Sequence, residues 1–127
     1  MRAVAVAPAT KELSQITLPQ PAINTPTQVL LRTIEVGVCG TDREIVGGHY
    51  GIPPEGQRNL VIGHEALLQV AEVGRAVKAF KPGDLVVPTV RRPCHEENCP
   101  SCKVGRQDFC YSGLFTERGI KQQHGYM

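Results

Sequence analysis

Two groups of side chains in this 127-residue chain have the donor types and spacing of metal chemistry. The first is Cys39 with Gly63-His64-Glu65: a thiolate, an imidazole and a carboxylate. Zinc that performs chemistry usually takes three protein ligands of this Cys/His/carboxylate kind and keeps a fourth position for water or substrate. Asp42 follows Cys39 closely enough to accept the second ring N–H of His64 and orient the imidazole. The second group is Cys94, Cys99, Cys102 and Cys110, spaced C-x4-C-x2-C-x7-C. Four thiolates so close suit a closed tetrahedral zinc site that leaves no place for water. Metal binding would also give a core-poor stretch its reason to fold.

Each residue has an ordinary reading as well. Cys39 could be a small buried hydrophobe, His64 a hydrogen-bonded histidine, and Glu65 a surface carboxylate or a partner of the ligands. Thr41 could be only a helix N-cap, and Asp42 a carboxylate placed on the positive end of that helix. His49, His95 and His124 read as loop histidines.

Short strands between turns must position these groups. Residues 3–6 form an apolar strand closed by Pro8, and residues 14–18 alternate as a half-buried strand should. Residues 28–38 read as the best strand, with Ile34, Val36 and Val38 on one face and Thr33, Glu35 and Gly37 on the other. It delivers Cys39 at its end. Thr41-Asp42-Arg43-Glu44 has the form of a capping box, opening a short helix that Gly47-Gly48 stops. Residues 60–74 hold two strands' worth of apolar residues around His64-Glu65, and Lys81-Pro82-Gly83-Asp84 is a turn. Leu85-Val86-Val87 is then expected as a buried strand. Thirteen glycines and ten prolines, with few helix signals, argue for an all-β barrel or sandwich.

Length supports one domain over residues 1–127, large enough for a core of its own, with a cysteine lobe at 91–119. A net charge of +2 is too mild for a nucleic-acid partner, and the scattered basic residues, Arg91-Arg92 included, read as solvated surface. There is no Trp to stack bases, and no Lys/Arg-rich helix follows the cysteines as in a nucleic-acid zinc finger. The apolar run at residues 3–7 is too short for a signal peptide or a membrane helix, so a cytoplasmic chain with reduced thiols is expected.

Taken in order, Gly37-Val38-Cys39-Gly40-Thr41-Asp42, Gly63-His64-Glu65, Lys81-Pro82-Gly83-Asp84 and the cysteine lobe resemble the N-terminal half of zinc-dependent medium-chain alcohol dehydrogenases. CGTDREIVGG at 39–48, Gly105-Arg106-Gln107-Asp108-Phe109-Cys110 and Thr116-Glu117-Arg118-Gly119-Ile120 are similar to the glucose 1-dehydrogenase branch. The resemblance implies a GroES-like fold, a partly open β-barrel bearing a zinc lobe. It implies a catalytic zinc on Cys39, His64 and Glu65, Thr41 passing the substrate hydroxyl's proton outward, and a structural zinc on the four cysteines. A sugar or alcohol substrate and NAD(P) as hydride acceptor follow for full-length relatives.

The chain also departs from that pattern. No G-x-G-x-x-G occurs in it, so a nucleotide-binding Rossmann domain is expected to be absent and the isolated chain inactive. The family's remaining active-site ligand lies past residue 127, so one zinc is expected to be held firmly and the open site to be partly filled or empty. Leu68 and Leu114 stand where relatives carry Gly and an acid, and the C-x4-C loop must bulge. The alternatives are a non-enzymatic zinc-binding module, or a half-enzyme working in trans with a separate nucleotide-binding chain; a homodimer could form through exposed barrel edges.

Overall fold

Alternation of small apolar residues makes Arg2–Ala7 (β1) a strand whose Ala3, Ala5, Val6 and Ala7 are buried. It pairs antiparallel with Glu12–Thr17 (β2) on one side and Leu60–Val61 (β4) on the other. Val29–Gly37 (β3), Glu65–Val73 (β5) and Leu85–Val86 (β6) form a second sheet in the order β3-β5-β6. Arg91–Arg92 (β7), Thr116–Arg118 (β8) and Gln122–Gln123 (β9) form a third, in which β8 and β9 run parallel. Helical structure is confined to Gly40–Val46 (α1), Pro100–Lys103 (α2) and a single 3-10 turn at Gln107–Phe109. The computed structural model describes all of residues 1–127, and the mainly-β reading with short helices holds. No helix is long and apolar enough to cross a membrane.

Ile45 anchors the helix that carries Asp42. It is fully buried among Val6, Leu60, Ile62 and Ile120, a burial that stabilises by about 1.5–3 kcal/mol. Beyond this cluster the core is shallow: only 20 of 127 residues are buried. The three sheets do not close on one another. An apolar recess of about 1440 Å³ opens between them, lined in part by Leu31, Ile34, Val36, Val86 and Met127.

Two strand readings need correction. Ile34 is exposed because the β3–β5 register shifts between Thr33 and Glu35 and breaks the alternation, and Val38 is exposed because it lies past the paired end of β3. Leu85 and Val87 are also exposed: β6 is a two-residue edge strand with nothing packed over its outer side.

Candidate metal centres

The first donor set forms where the end of β3 meets the loop before β5. Cys39 follows β3 in extended conformation and caps α1, while His64 follows β4 and Glu65 opens β5. Donor atoms of Cys39, His64 and Glu65 lie within 4.8 Å of one another, His64 buried, Cys39 half-buried and Glu65 exposed. Cys39 Sγ and His64 Nε2 are 3.1 Å apart. Ligands on one tetrahedral zinc would place S and N about 3.5 Å apart, so a few tenths of an ångström separate this pair from a ligating one. A thiol, an imidazole and a carboxylate converging beside an exposed face fit zinc with an open position.

Asp42 holds this arrangement together. It is 2% exposed, and its Oδ2 accepts the Cys39 N–H at 3.0 Å while Oδ1 accepts the Gly63 N–H at 3.2 Å. One carboxylate thus ties the two segments that bear Cys39 and His64. His64 Nδ1, buried and without a hydrogen-bond partner, lies 3.5 Å from Asp42 Oδ1, so the two side chains stand beside one another without the hydrogen bond expected between them. The capping box, however, stands two residues earlier than the sequence suggested. Gly40 is already helical, Cys39 is the cap and Asp42 is the third helical residue, which leaves Thr41 half-buried within the first turn.

No sequence signal marks the strap that runs beside the segment leading to His64. Residues 124–127 run alongside residues 60–63. Gly125 N–H donates to Val61 O, Tyr126 N–H to Gly63 O and Met127 N–H to Ile62 O, at 2.7, 2.9 and 3.1 Å. His124, expected as a plain loop histidine, accepts the Val61 N–H on Nδ1 at 3.1 Å, and Gln57 meets its Nε2 at 2.8 Å. Burial, with the Arg118 charge adding to it, holds His124 below the ordinary histidine pKa of 6.5. Close approach needs glycine twice here. Gly63 has φ of +84° and its missing Cβ makes room for Met127 and Val36, while a Cβ at Gly125 would strike the carbonyl oxygens of Ile62 and Gly63.

The four lobe cysteines converge as their spacing predicted. All four Sγ atoms lie within 4.8 Å of one another; Cys94–Cys102 is 3.7 Å and Cys99–Cys110 3.9 Å. A tetrahedral zinc with Zn–S of about 2.3 Å sets edges of about 3.8 Å, whereas a disulfide needs about 2.05 Å. These are free thiols with the spacing of a ZnS4 cage. Their protonation is uneven: the backbone N–H of Cys102 draws Cys99 down to about 6, burial pushes Cys102 up to about 12, and the Ser112 hydroxyl lowers Cys110. Four thiols this close cannot all ionise beside one another, and a divalent cation would replace their protons. The long first spacing is absorbed by a turn in which Cys99 N–H donates to Glu96 O at 3.2 Å.

Arg91 corrects the solvated-surface reading. Its side chain, 28% exposed, meets the buried Glu117 carboxylate through Nε and Nη2 at 3.0 and 2.8 Å, donates to Asp108 O, and lies 4.0 Å over the Phe115 ring. It ties β7 to β8 and to the 3-10 turn within the lobe. An adjacent Arg pair carries no sign of this, since the partners lie 17 and 26 residues away. Leu68 also proves ordinary: it is fully buried in the middle of β5, opposite Thr33 and Val86.

Comparison with known proteins places this geometry. The model of one family, described as the alcohol dehydrogenase GroES-like domain, matches residues 25–127. Glucose 1-dehydrogenase from Methanocella arvoryzae is 45% identical over 130 residues, covering 100% of this chain and 35% of the relative. Glucose 1-dehydrogenase from Thermoproteus tenax is 46% identical over 129 residues, covering 99% and 34%. The chain thus spans about a third of the length of the curated relatives it matches. Among solved structures, Haloferax mediterranei glucose dehydrogenase in complex with NADP, Zn and gluconolactone superposes with a TM-score of 0.85 at 38% identity, over 100% of this chain and 35% of that one.

Proposed function

This chain belongs to the alcohol dehydrogenase GroES-like domain family, and from that premise we propose that it is the metal-bearing, substrate-facing part of a zinc-dependent dehydrogenase acting on glucose or a related sugar. The observation that carries this reading is the convergence of Cys39, His64 and Glu65 beside an exposed face, clamped by a buried Asp42. A bound zinc supplies Lewis acidity toward a substrate oxygen. The chain's own residues do the rest. Cys39 and His64 offer the two best-fixed donors, and Asp42 ties together the two segments that bear them. Glu65 offers the third donor from the solvent side. Thr41, in the first turn of α1, is assigned the hydroxyl that passes the substrate's proton outward. The four lobe cysteines hold a second, structural zinc. Free thiols at both centres suit a reducing compartment such as the cytoplasm.

Residues 1–127 contain no G-x-G-x-x-G, and no dinucleotide contact is assigned to them. They are therefore expected to give no glucose-dependent NAD(P)H when purified alone. Cobalt substitution tests the reading without needing turnover. Cobalt at the open centre should give a thiolate charge-transfer band that Cys39→Ser removes and that glucose or gluconolactone perturbs. A cobalt spectrum indifferent to Cys39→Ser would contradict it.

A second reading concerns partners. The exposed Ile34, Phe80 and Val87 lining the apolar recess favour a polypeptide covering that face. That cover could be a nucleotide-binding chain working in trans or a second copy of this chain. Sedimentation of the purified chain separates these: a concentration-dependent dimer supports self-association, and a strict monomer leaves the trans partner.

A further inference from the structure

Gly37 ends β3 directly opposite Glu65, the first residue of β5. Its φ lies outside the left-handed range, so the backbone does not call for glycine here. A Cβ at Gly37 would instead stand 3.0 Å from Glu65 Oε2 and 3.3 Å from Glu65 Cβ. Opposed residues of an antiparallel pair send their side chains to the same face, about 4.5–5.5 Å apart. A bare Cα therefore leaves a lane one methyl group wide, and the Glu65 side chain lies in it. Lying there, the carboxylate comes within 4.8 Å of the Cys39 and His64 donor atoms.

We propose that Gly37 is a positioning residue for the open metal centre: having no side chain, it lets Glu65 fold across the strand pair toward Cys39 and His64. Whether Glu65 serves as the third donor is decided at position 37. The inference rests on the reading of Cys39, His64 and Glu65 as one metal set. It separates two roles that glycine could have at a strand end, backbone freedom and clearance, and assigns the second. A glycine inside a strand costs stability relative to alanine, so filling the lane harms the metal centre without harming the fold.

Cobalt affinity and thermal unfolding, measured on the purified chain, test this together. Gly37→Ala is expected to weaken cobalt binding at the Cys39 centre about tenfold, matching Glu65→Gln, with Tm unchanged or raised. The Gly37→Ala/Glu65→Gln double variant should bind no more weakly than either single variant, since both act through one carboxylate. Unchanged affinity in Gly37→Ala, or a loss that adds in full to that of Glu65→Gln, overturns the proposal. A fall in Tm in Gly37→Ala also overturns it, because glycine would then be serving the backbone. Cys39→Ser tells the two levels apart. With the lobe quartet kept loaded with zinc, if Cys39→Ser abolishes cobalt binding at the open centre while Gly37→Ala does nothing, only the role of Gly37 fails. If it leaves binding intact, the metal set itself is wrong and the role of Gly37 falls with it.

Discussion

The Cys39 centre is assembled from elements that fold for their own reasons, whereas the four lobe cysteines are held mainly by one another. Around Cys39 and His64 stand β3, α1 and β5, the buried Ile45 and a carboxylate that accepts two backbone N–H groups. The lobe offers a four-residue helix, one 3-10 turn and a few turn hydrogen bonds, with Val104, Phe109, Tyr111 and Leu114 all exposed. An open, working metal site needs ligands kept in place while one position exchanges, so the framework must supply the geometry. A sealed site can be its own framework, because the metal is the core.

Removing metal should break the comparison most visibly. Structural zinc contributes about 10 kcal/mol or more in small peptides. Strong chelation is thus expected to strip protection from residues 91–119 in hydrogen exchange while β1, β4 and β5 stay protected. Equal loss in both regions would mean that the body depends on metal as much as the lobe does.

Asp42→Ala should do the reverse. It leaves the Cys39 and Gly63 N–H groups without their acceptor and is expected to cost about 2–5 kcal/mol in urea unfolding. Cobalt binding at the open centre should go with it, while the ZnS4 signature of the lobe persists. Gly125→Ala is a gentler version. Its Cβ meets the Ile62 and Gly63 carbonyl oxygens, and overpacking of this kind costs about 1–3 kcal/mol. It should weaken the open centre by displacing the loop before His64, with the quartet untouched.

The smallest effect is acid sensitivity at His124. Its folded pKa is depressed, chiefly by burial, and Nδ1 must stay unprotonated to accept the Val61 N–H. The unfolded chain therefore takes up the proton first. The stabilising contribution is complete above pH 6.5 and is lost as pH falls through the folded value. Replacing His124 with Gln should flatten this part of the stability profile, read as Tm against pH.

What could be read from the sequence divides along the same line. The quartet was legible because its donors are neighbours along the chain and their spacing alone requires a turn and a knuckle. His64 with Asp42 was legible through residue chemistry, and the family through motifs in order. Contacts made at long range were not: Asp42 to the Gly63 N–H, Arg91 to Glu117, and the 124–127 strap over 60–63 leave no periodic trace. Strand placement was sound at β1 and β5, but burial at Ile34, Leu85 and Val87 was misjudged. Ile34 and Val87 line an open recess instead of a closed core, and Leu85 lies on a bare edge strand.

Zinc per chain during graded chelation, compared between the unaltered protein and Cys39→Ser, tests the two-centre account most directly. Two zinc ions are expected per zinc-equilibrated chain, one released readily and missing in Cys39→Ser, the other retained until the lobe opens. A single zinc indifferent to Cys39→Ser, or release of the lobe zinc ahead of the other, would contradict it.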